Sequence, residues 1–442
     1  MLLWGAMVHP ASARRRARAA SAPPPPGFAA RKATLRLLDA VLRRGQPLET
    51  ALHAATQGLA DKADRALVHA IAANVLRHMR DVDALIDSAT RQPLPDDAKA
   101  RMVLRLALAQ ALLLDTAPHA VVATALPLVD GGPRKLVHGV LGTLLRAGAH
   151  LPDPPNLPTE VETRWTAEWG EGVVQAARQA IAARPPLDLS LRDPVQTTET
   201  AARLGGTSLA PGHVRLAAET DVTALAGFRE GAFWVQDLAA SLPARLLGEG
   251  AGRPVLDLCA APGGKTLQLA AAGWQVTALD QSARRLERLT ESLARTGLTA
   301  TVVAADLRDW QPSEPVDAIL LDAPCSATGI FRRHPDVLHR VGPRQIAEMA
   351  DLQAALLDRA SGWLKPGGRL VYATCSLEPE EGETQIAALL ARRGDMRPAA
   401  IDGGTFPAGL GTQAPGQLRT LPGLLSETGG LDGFFVALLE RN

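Results

Sequence analysis

Val255-Leu256-Asp257-Leu258-Cys259-Ala260-Ala261-Pro262-Gly263-Gly264-Lys265-Thr266 is the stretch from which the rest of the chain is read. Val255 to Leu258 have the apolar run of a short buried strand. Ala260 to Gly264 form a tight turn of small residues, and a helix opens near Lys265 and continues through Leu267 and Leu269. A strand, a small-residue turn and a helix N-terminus together make a nucleotide-type site. Backbone N–H groups point outward there, and the missing side chains let a ligand approach closely.

Working outward, three more strands end in acids. Gln275 to Leu279 runs into Asp280, Val302 to Ala305 into Asp306, and Ile319 to Leu321 into Asp322. One strand-ending Asp is ordinarily a helix cap; three on successive strands point to a site. Two cofactor classes compete for the turn. Gly264-Lys265-Thr266 matches the end of a phosphate-cradling loop, but the first glycine of that motif would fall at Cys259. The other reading is an S-adenosylmethionine turn, in which Asp280, about twenty residues on, binds ribose hydroxyls and Asp306 meets the adenine amino group.

Strands expected at 254–258, 275–279, 301–305 and 317–321 alternate with helical stretches, and two more follow near 369–373 and 434–438. That is the pattern of a doubly wound, Rossmann-like α/β sheet over 236–442, which binds ligands at the C-terminal ends of its strands. Two cysteines follow strands on that edge, in Asp322-Ala323-Pro324-Cys325-Ser326 and in Thr374-Cys375-Ser376. A free cysteine is most often a small buried hydrophobe. Two thiols facing one cofactor pocket are better explained as reactive.

The front of the chain reads differently. Residues 1–27 are basic, proline-rich and free of acids, the composition of a disordered tail; a transit peptide, a phosphate-binding tail and an over-extended start (Met7 is a second candidate) all suit it. Residues 28–150 have helical periodicity, with Leu35, Leu38, Val41 and Leu42 on one face and Val68, Ile71, Val75 and Met79 on another after Asp61 as cap. Leu104, Leu108 and Leu112 follow, then Val137, Val140, Leu141 and Leu144, so this is an all-α unit. Arg77, Arg80, Arg134 and Lys135 could give it a basic face. A proline linker from Leu151 to Pro158 leads to a small α+β unit over 160–235, helical from Arg164 to Ala183, with strands near 186–192 and 214–216.

Composition sets the outer limits. The chain of 442 residues is 46% apolar and 21% charged, so it is globular and long enough for two or three domains. A net charge of +1 gives no global argument for nucleic acid, so any basic footprint must be local. Three cysteines, Cys259, Cys325 and Cys375, make no disulfide framework and have no metal-ligand spacing. No segment is apolar for long enough to span a bilayer, and a reducing, cytoplasmic setting is expected.

The Asp322-Ala323-Pro324-Cys325 and Thr374-Cys375-Ser376 pair, with Cys259-Ala260-Ala261-Pro262-Gly263-Gly264-Lys265, resembles the RNA cytosine-5 methyltransferases. Gly329-Ile330-Phe331-Arg332-Arg333-His334-Pro335-Asp336 and Asp432-Gly433-Phe434-Phe435 fit the same pattern, and the helical front resembles the NusB-like RNA-binding domain. The combination is similar to the RsmB (Fmu/Sun) family of bacterial small-subunit ribosomal RNA methyltransferases. The resemblance implies an S-adenosylmethionine-dependent enzyme that methylates C5 of cytosine in 16S ribosomal RNA. Cys375 would be the nucleophile that adds at C6, Cys325 would assist breakdown of the adduct, and Asp322 would hydrogen-bond the base. It also implies that Cys259 to Lys265 wrap the cofactor with Asp280, Asp306 and Asp322. Gln236-Asp237 would sit at the pocket floor, and Arg332, Arg333 and His334 would be RNA contacts. Ala327 departs from the family's usual glycine; if the backbone there needs a positive φ, alanine costs about 1 kcal/mol.

The expected partner is ribosomal RNA presenting a single-stranded or flipped-out cytosine, since a stacked base cannot reach a thiol in a pocket. A monomer is expected. The alternatives are the same chemistry on tRNA, another RNA or DNA, a phosphate-loop ATPase with Asp322 as its magnesium acid, and a non-catalytic RNA-binding assembly factor.

Overall fold

The computed structural model describes residues 25–402 and 406–442, so the tail lies outside the described residues as far as residue 24. The front unit is helical: α1 (Phe28–Leu42), α2 (Leu48–Thr56), α3 (Lys62–Arg77), α4 (Met79–Ser88), α5 (Lys99–Leu113), α6 (Pro118–Ala125) and α7 (Gly131–Arg146). Asp61 caps α3 by accepting from the Ala63 N–H. α5 is the axis. Its residues from Ala100 to Gln110 are buried on every side, so the single face read from Leu104, Leu108 and Leu112 is a fully enclosed helix instead. Arg101 and Arg105 enter this interior only because Asp83 and Asp87 meet them, at 2.5–3.2 Å.

After the proline linker come α8 (Thr159–Trp169) and α9 (Glu171–Ala182). Gly170, at φ +82°, divides what reads as one helix. This pair packs through Trp165, Val161 and Ile181 onto Phe331, Val337 and Leu338 of the later chain. The strands β1 (Leu187–Leu191), β2 (His213–Leu216) and β3 (Phe233–Val235) form an antiparallel sheet in the order β2-β1-β3, with α10 (Thr197–Leu204) beside it and an apolar core of its own. β3 is too short to show an alternation in sequence.

The α/β unit contains α11 (Leu238–Arg245), β4 (Pro254–Leu258), α12 (Gly264–Ala271), β5 (Gln275–Asp280), α13 (Ala283–Thr296), β6 (Thr301–Ala304), β7 (Val316–Asp322), α14 (Val337–Arg340), α15 (Pro343–Gly362), β8 (Leu364–Thr374), α16 (Glu383–Arg392), β9 (Met396–Pro398), β10 (Gln417–Thr420) and β11 (Phe434–Arg441). The order is β10-β11-β8-β7-β4-β5-β6, with β9 paired to β11; β4 to β8 are parallel and β11 runs antiparallel between β8 and β10. Alternation along the strands fills both faces. Val255, Ala278, Leu320 and Val371 point into one core, and Leu256, Leu258, Ile319 and Tyr372 into the other. α13 closes one face with Leu286, Leu289 and Leu293, between a Ser282 cap and Gly297 at φ +66°.

The order reverses at β4, which has β5 on one side and β7 on the other. The loop after β4 therefore opens into the crevice where such sheets bind ligands. The segment from Cys325 to Val341 joins all three units. Asp336 accepts the Leu48 N–H at the start of α2 at 3.2 Å, and the His339 Nε2–H donates to the Leu76 carbonyl at 2.6 Å. No helix among the described residues is long and apolar enough to cross a membrane.

Candidate active site

The turn after β4 takes backbone conformations that explain its composition. Cys259 lies at φ +61° and Gly263 at φ +112°. A Cβ on Gly263 would stand 2.4 Å from Leu289 Cδ1, so this position admits only glycine without rearrangement. Asp280 holds the turn from below: its Oδ2 accepts the Ala261 N–H at 3.2 Å and its Oδ1 the Ser282 N–H at 2.9 Å. Each of those oxygens keeps a further lone pair. Arg285 donates to the Ala261 carbonyl and lies 3.4 Å from Asp280.

Beside the turn is a concave, largely apolar cleft of about 140 Å³, the character of small-ligand sites. Cys259 and Pro324 line its sheet edge, Asp280 and Asp306 its polar side, and Leu352 and Leu356 its apolar wall. A flat apolar slot with carboxylates at one end suits a nucleoside: an aromatic base against leucines and a ribose diol on a carboxylate. Asp306 is held by Arg308 at 2.6 Å, and this hydrogen bond lowers its carboxyl to about 2, so it is an anion there. Burial, then the charges of Asp322, Asp280 and Asp257, push the Cys259 thiol far up, which makes it a structural group rather than a nucleophile.

The other residues singled out by sequence gather at the ends of β7 and β8. These strands are paired in register, Asp322 opposite Ala373, so the loops that follow run side by side. The Cys325 and Cys375 sulfurs are 3.5 Å apart. Their hydrogen bond, then burial, raises the Cys325 thiol well above its usual range. Asp322, partly exposed, accepts from Lys265 Nζ at 2.7 Å, and that ammonium also lies over the Phe434 ring. Ala260, Ala261, Pro262, Gly263, Gly264 and Lys265 follow Cys259 of the cleft, and Lys265 reaches the end of β7 at Asp322.

Several polar residues have other work. Arg332 is 4% exposed; it donates to the Gly429 carbonyl at 2.6 Å and faces Asp432. Arg333 is tied to Asp237 and to the Pro186 carbonyl, each at 3.0 Å. Arg332, buried, and Arg333, partly exposed, thus bridge the small sheet and the α/β unit, and Asp432, far off in sequence, faces both. Asp237 caps α11, and Gln236 bonds Trp234 and Gln268, so both hold structure. Arg80, though exposed, is engaged by Glu162 and the Leu157 carbonyl, and Arg134 and Lys135 are exposed as well. Ala327 does occupy the left-handed region, at φ +59°.

Sequence reasoning missed the support beneath the thiols. Glu381, Gln353, Ser326 and Ser376 are all buried there, and nothing in Pro379-Glu380-Glu381 marks one acid from the other.

Residues 245–440 match the family model described as 16S rRNA methyltransferase RsmB/F, and residues 29–146 match the NusB family. The Ribosomal RNA small subunit methyltransferase B of Xanthomonas campestris pv. campestris is 37% identical, over 94% of this chain and 98% of that one. The protein of the same name from Klebsiella pneumoniae subsp. pneumoniae is 36% identical, over 93% and 98%. Among solved structures, that of PH0851 superposes with a TM-score of 0.72 at 23% identity, over 93% of this chain and 99% of that one, a likeness of fold. These matches decide between the two cofactor readings of the turn in favour of S-adenosylmethionine. The chain belongs to the RsmB/F family of 16S rRNA methyltransferases, with a NusB-like helical unit joined to a Rossmann-like, S-adenosylmethionine-dependent methyltransferase unit.

Proposed function

We propose that this protein methylates C5 of a cytosine in small-subunit ribosomal RNA through a transient bond between Cys375 and C6 of the base. One observation carries the reading: two sulfurs 3.5 Å apart at adjacent strand ends, beside a cleft lined by Pro324, Asp280 and Asp306. The relatives' shared name supplies the RNA.

C5 of cytosine is a poor nucleophile. The Cys375 thiolate adds at C6, and the C5=C6 electron pair shifts to make C5 enamine-like. When bound, S-adenosylmethionine supplies a sulfonium-activated methyl group to that carbon. Asp280 would hold its ribose, Asp306 its adenine side, and Cys259 to Lys265 its methionine end. Asp322, oriented by Lys265, hydrogen-bonds the polar edge of the base and favours addition. The C5 proton then passes to water, its electron pair re-forms C5=C6, and the C6–S bond breaks with its pair returning to Cys375. Cys325 assists that departure by offering its S–H to the returning thiolate.

The base reaches this pocket from a single-stranded segment or after flipping out. Arg134 and Lys135 suit contact with RNA phosphates, so binding weakens with salt. In this reading the protein works as a monomer, in the cytoplasm with its RNA.

Trapping on RNA that carries 5-fluorocytosine tests the reading, because fluorine at C5 cannot leave as the proton does. Wild type and Cys325→Ala are expected to form a denaturation-resistant adduct, and Cys375→Ala none. An adduct lost only in Cys325→Ala reverses the roles of the two cysteines, and none in wild type refutes the proposal.

A further inference from the structure

The chemistry proposed above needs two thiols at a fixed spacing with different protonation, yet they sit on two separate loops. What joins those loops is one buried acid. Glu381 is wholly buried on the turn after β8. Its Oε1 accepts the Ser326 N–H at 2.8 Å and the Gln353 side-chain N–H at 3.1 Å, and its Oε2 accepts from the Ser326 hydroxyl. Ser326 Oγ in turn lies 3.1 Å from Ser376 Oγ. Ser326 follows Cys325 and Ser376 follows Cys375, so the chain Glu381–Ser326–Ser376 ties together the residues next to both sulfurs. The same turn is anchored through its backbone: the Glu381 carbonyl accepts from Tyr372 Oη at 2.8 Å and Thr374 Oγ1 at 3.2 Å. Gln353 also donates to the Pro324 carbonyl, one residue before Cys325.

No cation among the described residues pairs with this carboxylate. The nearby Arg419 is committed to Glu383 and to the Ser376 carbonyl. All the donors to Glu381 are neutral, a costly setting for an acid that serves only to fill space.

We propose that Glu381 is the positioning residue that fixes the two thiols 3.5 Å apart across their two loops. The hydrogen bonds from Ser326 and Gln353 supply the geometry, and the charge of the carboxylate acts on the nearer thiol. Burial raises the Glu381 carboxyl while its hydrogen bonds from Ser326, Ser376 and Gln353 oppose the rise. Its negative charge adds to the hydrogen bond and the burial that already raise the Cys325 thiol. The inference rests on the two-thiol reading given under Proposed function.

Two variants separate charge from reach. Glu381→Gln keeps the shape and removes the charge; Glu381→Asp keeps the charge and withdraws it from Ser326. The first readout needs no RNA: alkylation of each cysteine by iodoacetamide against pH, resolved by peptide mass spectrometry. Glu381→Gln is expected to speed alkylation of Cys325 about tenfold at mildly alkaline pH, the effect of a shift of about one pH unit, and to move the pH–rate profile of methyl transfer down with it. Glu381→Asp is expected to lower kcat at least about tenfold, with KM for RNA unchanged and the thermal midpoint close to wild type. Alkylation and pH profile within twofold of wild type in both variants would overturn the proposal. So would an activity loss that only tracks loss of folded protein. If wild type forms no adduct on fluorinated RNA while Cys325 alkylation still responds to Glu381→Gln, the cytosine chemistry fails and the positioning of the thiols stands.

Discussion

Gly329→Ala should disable the site by space alone. Gly329 does not lie in the left-handed region, so a side chain there meets no backbone strain. A Cβ would, however, stand 2.0 Å from the Gly433 carbonyl oxygen and 2.7 Å from its carbon. Both are backbone atoms, and no rotamer change relieves the contact. The loop that carries Cys325 must retreat from the start of β11 by at least about 1 Å to reach van der Waals distance. Two hydrogen bonds oppose that retreat, Gly329 N–H to the Cys375 carbonyl and Gly433 N–H to the Gly329 carbonyl, each 2.9 Å. Losing both costs about 1–3 kcal/mol, and keeping them under compression costs about the same. The thermal midpoint should fall by roughly 2–10 °C. The catalytic loss is larger, because a displacement of about 1 Å between reacting groups costs about 10²-fold, or ~2.7 kcal/mol of transition-state stabilisation. Single-turnover methyl transfer at saturating S-adenosylmethionine measures this loss, and calorimetric titration shows whether cofactor affinity is retained, as expected for a residue on the far side of the thiols. Gly394→Ala, where a Cβ meets open space, is the matched control. A Gly329→Ala rate within threefold of wild type would refute the claim that this backbone contact sets the position of Cys325.

Asp336→Ala removes an acceptor for the first N–H of α2 that comes from a different unit, and strips Arg340 of its partner at 2.9 Å. Loss of a cap costs about 1 kcal/mol, which should speed tryptic cleavage at the exposed Arg43 and Arg44 about fivefold; an unchanged digestion rate argues against docking through this contact. Asp257 is fully buried with one oxygen unpartnered, and burial, more than the neighbouring charges of Asp322 and Asp280, raises its carboxyl to about 7. Its folded value lies above the unfolded one, so its contribution to stability is fully present below about pH 4 and is lost as pH rises through about 7. Denaturant midpoints measured between about pH 5 and about pH 8 should fall in wild type and fall less in Asp257→Asn; equal slopes would refute this assignment.

The strands of the α/β unit were legible because parallel strands buried on both faces leave uninterrupted apolar runs, and because each of β5, β7 and the segment after β6 closes on an acid. The pairing of Cys325 with Cys375 was legible for a related reason: both follow such runs on the ligand edge. Direction and short pairings were not legible. β11 carries no mark of being antiparallel, and β9 and β10 are of three and four residues, too brief for a period to show. Arg332 and Arg333 look like solvent-facing cations in sequence, because the partner they face, Asp432, is about a hundred residues away and reaches them only in the fold. α8 and α9 look like one helix because Gly170 is a single residue in a helical pattern, and only its φ of +82° breaks it. Glu381 was invisible for the deepest reason. Its work is done by contacts to Ser326 and Ser376, which are placed by strand register rather than by any spacing along the chain.

The segment from Cys325 to Val341 explains why the helical unit and the chemistry belong to one machine. It begins at a reactive thiol and passes through Ala327, whose left-handed backbone costs roughly 1–2 kcal/mol. It then meets β11 at Gly329, the small sheet through Arg333, and the helical unit through Asp336 and His339. Burial lowers the pKa of His339, so its ring is neutral and holds a proton on Nε2 to donate to the end of α3. A strained turn persists only where its surroundings over-determine it, and here the determinants come from all three units. Anything that loosens the helical unit from this segment therefore removes part of what holds Ala327 in place, one residue from Ser326 and two from the Cys325 sulfur. On this argument the helical unit is part of what sets the thiol spacing, through Asp336 and His339 of the segment it packs against.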